Sequence, residues 1–392
     1  MHARIIRSLA EVDAADWNAL PGAEAPFLRH EFLAALETSG CAAVETGWDA
    51  HHVLVRSPDG RLVGAMPLYL KSHSWGEFVF DFAWAEAYHR AGLRYYPRLV
   101  SAVPFTPATG PRLLADGEPA RMALVEAARA LARDLGVSSL HVLFPFPADR
   151  ETLERSGLMP RLDCQFHWGN AGYATFDDFL AGFTAEKRKK VKRERRRVRE
   201  SGIECRTLTG HELDDALVDA VYRLHATTFA RHGHAPYLNR EFLAEIVRAL
   251  PGNLVVELAS LGGEPVACAL LLRGANTLFG RYWGASGDFH SLHFELCYYR
   301  GIEYCIREGL SKFEPGTQGE HKLLRGFRPT PVWSMHAIAD PRFAAAIGDW
   351  LERERLAMQE WLAAAAGHLP FRQGGIPASL GDDVRDRLAA ED

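Results

Sequence analysis

No stretch of this 392-residue sequence reaches the roughly 20 consecutive apolar residues that a membrane-spanning helix needs. The opening residues, Met1-His2-Ala3-Arg4-Ile5-Ile6-Arg7-Ser8, read as a first strand and lack the apolar core of a signal peptide. Cysteine is sparse. Cys41, Cys164, Cys205, Cys268, Cys297 and Cys305 form no CxxC pair and no zinc-ligand spacing, which excludes a disulfide scaffold. The expected compartment is therefore the cytoplasm. There is no GxSxG elbow either, so a covalent acyl-serine route has no support. Nor is the chain short of apolar residues: 47% are hydrophobic and 24% charged, a folded rather than a disordered composition. At this length two packed domains are expected.

What is present is unevenly charged. The formal net charge is -5, yet Lys187 to Arg199 holds ten basic residues and a single acid, Glu194. Without that segment the remainder would stand at -14. Only Ala185, Val191 and Val198 are apolar between Phe183 and Ile203. The segment therefore reads as a solvent-exposed helix over 184–201, too polar for deep insertion into a membrane. Three partners fit its charge: RNA phosphates, an anionic membrane surface, or the phosphates of a coenzyme A donor.

The chain also resembles itself. Phe27-Leu28-Arg29-His30-Glu31-Phe32-Leu33-Ala34 matches Tyr237-Leu238-Asn239-Arg240-Glu241-Phe242-Leu243-Ala244. About thirty residues later in each copy, Asp59-Gly60-Arg61-Leu62-Val63-Gly64-Ala65 matches Gly262-Gly263-Glu264-Pro265-Val266-Ala267-Cys268. Two matches in the same order indicate an internal duplication. Each copy predicts a helix, a strand, a glycine turn and a second strand (His52–Arg56 in one copy, Leu254–Leu258 in the other, as the first strand). Helices are predicted near Ala120–Leu135 and Leu292–Glu308. The whole is an α/β pattern used twice.

Further blocks carry a family resemblance. Tyr282-Trp283-Gly284-Ala285-Ser286 ends a strand, His293-Phe294-Glu295 lies on the helix after it, and Phe313-Glu314-Pro315-Gly316 and His321-Lys322-Leu323-Leu324-Arg325-Gly326-Phe327 follow. This order resembles the Fem-type aminoacyltransferases. Trp75-Gly76-Glu77-Phe78-Val79-Phe80-Asp81 and Pro104-Phe105-Thr106-Pro107-Ala108-Thr109-Gly110-Pro111-Arg112 resemble a bacterial group of N-acyltransferases labelled peptidoglycan biosynthesis or recognition proteins. The resemblance implies an α/β fold of two tandem GNAT-like (acyl-CoA N-acyltransferase type) domains with mixed central sheets, at 1–170 and 171–370, the second opening with the basic helix, and a tail over 371–392. It implies acyl-CoA or an aminoacyl-tRNA as co-substrate.

Amide formation needs an amine stripped of its proton and fixed donors for a tetrahedral oxyanion. Glu320 and His321, in a glycine-rich loop, are candidates to take the proton; Lys322 and Arg325 beside them suit phosphates or another acidic group. His293 and Glu295 are second candidates, although Glu295 also reads as a first-turn carboxylate on a helix capped by Ser291. Arg281, Gly284 and Ser286 approximate the Q/R-x-x-G-x-G/A loop of acetyl-CoA-dependent relatives, with serine in the last place. The same stretch also reads as an ordinary strand-ending turn. Trp75, Asp81, Phe105, Thr106 and Arg112 are expected to border an aromatic acceptor cleft, against a plainer reading in which each is core. Arg231-His232-Gly233-His234 lacks the acidic or sulfur ligands of a metal site, so no metal is expected. The leading expectation is an N-acyltransferase joining a thioester-borne acyl group to an amine, which the aromatic cleft extends to a lipid-like amine such as a sphingoid base. The alternatives are tRNA-dependent aminoacyl transfer to a peptidoglycan precursor, and a non-catalytic binder of cell-wall material or nucleic acid. Attachment at the inner face of the membrane is an accompanying expectation.

Overall fold

The computed structural model describes residues 1–317 and 319–372. The chain forms two compact units, Met1–Asp163 with Val332–Met358, and Cys164–Pro331 with Gln359 onward. The sequence places a single boundary near Gly169–Ala174. In the structure the crossing lies a few residues earlier, and Val332–Met358 returns to the first unit. The reason is strand pairing: Ser334–Ile338 runs antiparallel to Ser139–Leu143, and Met335 joins the core of that unit.

The duplicated elements recur in the same order. In the first unit a strand (His2–Ile6), a 3-10 turn (Leu9–Glu11) and two helices (Ala14–Asn18, His30–Thr38) lead to the hairpin His52–Arg56/Leu62–Met66. In the second, Ile203–Thr209, Gly210–Glu212, Asp215–Arg231 and Arg240–Ala249 lead to Leu254–Leu261/Glu264–Arg273. The hairpin turns fall at Gly60 and at Gly262-Gly263, all at positive φ, a backbone that glycine adopts without strain. Helix starts follow their caps: Asn239 accepts from the amide of Phe242, and Asp214 from that of Leu217.

Within the first unit one sheet runs Trp48–Ala50, Tyr69–Lys71, Arg98–Ser101, Ser139–Leu143 and then Ser334–Ile338. Its two faces differ, because side chains alternate along each strand. Leu99, Leu140, Val142 and Met335 pack with Leu124, Val125 and Ala128 of helix Glu118–Asp134. The other face carries Trp48, Lys71 and Arg98 in one cross-strand row, with His141 beside His336 (Nδ1 to Nδ1 2.6 Å). All five are buried.

The second unit has one mixed sheet in the order Ile203–Thr209, Leu254–Leu261, Glu264–Arg273, Thr277–Ala285, Lys312–Glu314 and Trp168-Gly169. Its aromatic core gathers Trp168, Phe179, Phe183, Phe313 and Phe327. The basic segment is a helix, Ala185–Glu200. Val191, Glu194 and Val198 are buried on it and Arg195 half-buried, the helical spacing of one inward face. The expected tail begins firmly: Phe371 packs against Phe183 (5.1 Å between rings) and the Arg372 amide donates to Gly182. Residues of that tail from 373 on lie outside the described residues.

Candidate active site

In the second unit, strand Thr277–Ala285 pairs in parallel with Lys312–Glu314 through three residue pairs, ending at Phe279 opposite Glu314. Beyond that point the pairing stops. On its other edge the register slips, with Leu270 opposite Tyr282 but Leu271 opposite Gly280. Arg281 is the extra residue of this bulge, a device that re-aims side chains. A pocket of about 150 Å³ opens here, lined by Arg281, Tyr282, Trp283, His293, Cys297, Tyr298 and Pro315 among others.

The helix that closes the pocket is not uniform. Leu292–Phe294 and Arg300–Arg307 are α-helical, and Glu295–Tyr299 between them forms a π-helical turn. Such insertions re-aim side chains and recur at functional sites. Here both Tyr298 and Tyr299 become buried. The Tyr298 hydroxyl lies 2.8 Å from His321 Nε2, and the Tyr299 hydroxyl donates to Glu194. The His293 ring stands 5.2 Å from Trp283, 5.3 Å from Tyr298 and 6.1 Å from His321, centre to centre. Burial, reinforced by the positive charges of His321, Arg325 and Lys322, pulls His293 down to about 4. It is thus an uncharged imidazole at neutral pH. Burial also lowers His321 and raises Tyr298, which stays protonated.

Of the residues singled out from sequence, His293, His321 and Arg281 are gathered here, His321 through Tyr298. Others are placed differently. Glu320 is exposed at the start of a 3-10 helix, Glu320–Arg325, and does not line the pocket. Lys322 is buried and donates to the Gly316 carbonyl (2.7 Å), so it pins its own loop and does not face a phosphate. Arg325 is buried too: it donates to Glu194 (3.1 Å) and to the His321 carbonyl (2.9 Å), and its guanidinium sits 3.4 Å over the Phe294 ring. Glu295 accepts two bonds from Arg195 (2.8 and 3.0 Å), which makes it half of a structural ion pair. Ser291 does not cap this helix with its side chain. It sits at φ 67, and its hydroxyl pairs with His290 Nδ1.

The phosphate-cradle reading of Arg281–Ser286 is corrected by two observations. The Ala285 amide donates to Thr227 Oγ1 (3.3 Å) and the Ser286 amide to the Val266 carbonyl (2.9 Å), so neither is free to hold a pyrophosphate. Gly284 is required for packing: a Cβ there would fall 1.8 Å from the Leu224 carbonyl oxygen of helix Asp215–Arg231.

The acceptor cleft expected in the first unit is not formed by the residues named for it. Asp81 is buried, accepting from Ser74 (2.6 Å), Tyr95 (2.7 Å) and Arg98 (2.8 Å). Arg112, also buried, is spent on the carbonyls of Leu143, Pro111 and Ala108 (2.7–3.0 Å). Phe105 packs on Trp48, Thr106 bonds the Pro104 carbonyl, and Trp75 stands 62% exposed. For Asp81, Phe105, Thr106 and Arg112 these are contacts of buried, loop-building residues, as the plainer reading has it; Trp75, exposed, fits neither the cleft nor the core reading.

Tyr298 is the pocket residue that periodicity missed. The spacing of Leu292, Leu296, Tyr299 and Ile306 marks Tyr299 as inward, and the π turn over Glu295–Tyr299 shifts the register in which Tyr298 is buried beside it. The only signal was the unbroken apolar run Leu296-Cys297-Tyr298-Tyr299. Among the described residues there is no group of three or more His, Cys, Asp or Glu placed to hold a metal. Among them, too, no helix is long and apolar enough to cross a membrane.

The model of the FemAB_like family, described as peptidoglycan biosynthesis/recognition, matches residues 8–373. The chain belongs to that family. FemAB_like membership agrees with the fold. FemX superposes with a TM-score of 0.52 at 13% identity, covering 89% of this chain and all of its own. The C-terminal domain of a protein named as a lysylphosphatidylglycerol synthetase, from Agrobacterium fabrum, gives 0.54 at 12% identity, with 88% and 97% covered. L-PGS from Bacillus licheniformis gives 0.50 at 11%, with 83% and 96% covered. No curated protein sequence matches. The chain thus belongs to the FemAB_like family and shares its α/β fold with FemX and these two proteins.

Proposed function

We propose that this chain transfers an acyl group from a thioester, of the acyl-CoA type, to an amine. The reading rests on one observation: the pocket where the parallel strand pair parts, with His293 and the Tyr298–His321 pair set around it. With its proton on Nε2, His321 donates to the Tyr298 oxygen and leaves the phenolic hydrogen for the pocket. That hydrogen stabilises the oxyanion and then serves the departing thiolate. His293, uncharged at neutral pH, accepts a hydrogen bond from an N–H of the neutral amine and so points the amine's lone pair at the carbonyl. With a pKa of about 4 it orients the amine, whose proton passes to solvent. A volume of about 150 Å³ holds about five water-sized groups, so it takes the reacting ends only. A long chain on either substrate lies outside it.

A second donor, an aminoacyl-tRNA, is favoured by the basic helix, where Lys189, Lys190, Lys192, Arg193, Arg196, Arg197 and Arg199 are exposed. The test is thiol release from acyl-CoA with primary amines, with the amide confirmed by mass spectrometry. His293→Ala and Tyr298→Phe should each lower turnover by about 10²–10⁴-fold. Undiminished turnover in both would remove the pocket from the chemistry. Product that requires charged tRNA and disappears with ribonuclease would establish the second donor in place of the first.

A further inference from the structure

Between Ser74 and Phe82 the usual order of a protein surface is reversed. Glu77 and Asp81 are each only 3% exposed, whereas Trp75, Phe80 and Phe82 are 62%, 53% and 45% exposed. The charged side chains point in and the aromatic ones out. The inward charges are bound to one buried guanidinium: Arg98 reaches Glu77 at 2.7 Å and Asp81 at 2.8 Å. The backbone between them is held as well. Lys71 donates to the Trp75 carbonyl (3.3 Å) and Arg161 to the Phe80 carbonyl (3.0 Å). The outward aromatics are therefore fixed in place. The Phe82 ring lies 6.0 Å from Trp75 and stacks 6.2 Å from Phe80, so the three form one patch.

Water is a poor partner for such a patch, and large exposed aromatics grouped together mark an interaction surface. We propose that the face formed by Trp75, Phe80 and Phe82 seats in the interfacial region of a lipid bilayer. Size argues against a second copy of the chain. The three side chains together expose on the order of 350 Å², taking each at about 200–250 Å² when free, and a stable pairing covers about 800 Å² on each partner. An aromatic group of this size suits the headgroup level of a membrane, where rings of tryptophan and its kind anchor proteins without crossing. Charge agrees. Over residues 72–94 Glu86 is the one exposed acid, and it is paired with Arg90 at 2.9 Å, while Arg94 is exposed beyond it. Nothing there repels a zwitterionic or anionic leaflet.

This inference is independent of acyl transfer, and its test has no catalytic readout. Full-length protein is floated with vesicles of phosphatidylcholine alone and of phosphatidylcholine with one-fifth phosphatidylglycerol. Wild type should float with both, and Trp75→Ala/Phe80→Ala/Phe82→Ala should lose about tenfold or more of its bound fraction at an unchanged melting temperature. The single variant Trp75→Phe should lose a blue shift of emission that vesicles induce in the wild type. Failure of the wild type to bind either vesicle overturns the proposal. So does binding that the triple variant retains, including binding that needs the anionic lipid and vanishes in high salt, which would belong to the basic helix. A dimer that the triple variant dissolves, in protein that ignores vesicles, would make a second copy the occupant instead.

Discussion

Lys322 shows how one residue type changes its meaning with its surroundings. In the sequence it is a loop cation next to a histidine, suited to a phosphate. In the structure burial lowers its pKa from 10.5 to about 7. A lysine depressed in the folded state binds its proton more weakly there than in the unfolded chain. Between about pH 7 and 10.5 the unfolded chain therefore holds more protons, and this residue's contribution to stability rises with pH across that window. Below it the cost is on the order of a few kcal/mol. Lys322→Met removes the titrating group and keeps the apolar stem. Urea melts of both proteins at pH 7 and 9.5 should show wild type gaining on the variant at the higher pH. Parallel behaviour at the two pH values would mean that Lys322 is not held neutral. Gly284 makes the same point at the backbone: its place in a glycine motif suggested a ligand, and the Leu224 carbonyl explains it.

At the scale of elements, the duplicated hairpins were legible because turn glycines and apolar strands are local signals. The basic helix was legible as well, in extent and in exposure. Its most informative residue was the odd one. Glu194, one acid among ten bases, is buried and accepts from Arg325 and Tyr299. The helix thus turns a counter-ion inward and leaves its bases outside. Glu194→Ala would strand the Arg325 charge, at a cost of about 3–5 kcal/mol in urea unfolding. Charge reversal at Lys189, Lys190 and Arg193 should each stay within about 0.5 kcal/mol. If Glu194→Ala proves equally mild, the inward pair is not what seats this helix. The π turn beneath it was not legible, because an inserted residue leaves the composition of a helix unchanged and moves only its register. That is why His293 and His321 were found and Tyr298 was not. The outward aromatics of Trp75–Phe82 escaped for a related reason: pattern reading sets Trp75 at a cleft and most other rings in the core, and only Arg98, two strands away from Trp48 in the sheet, shows which side chains turn inward.

For the whole molecule, length and duplication led to two units, but not to the route of the chain between them. Pairing of Ser334–Ile338 with Ser139–Leu143 joins residues nearly two hundred apart, and no local pattern encodes a partner at that distance. The consequence is testable. Residues 1–163 contain most helices and strands of the first unit, yet they leave Ser139–Leu143 without its antiparallel neighbour and remove Met335, fully buried in that core. They also lose the start of helix Pro341–Ala366, whose Ile347 and Leu351 pack with Trp84 and Tyr88. An unpaired strand edge beside a cavity the size of a methionine leaves little of the narrow margin by which domains are stable. The fragment 1–163 should therefore show no cooperative thermal transition. A chain of 1–163 joined to 332–358 through a flexible linker of about fifteen glycine and serine residues, long enough to span a small domain, should regain one. A cooperative melt of 1–163 alone would show that the returning strand is an accessory to the first unit and that its fold was complete before the chain left it.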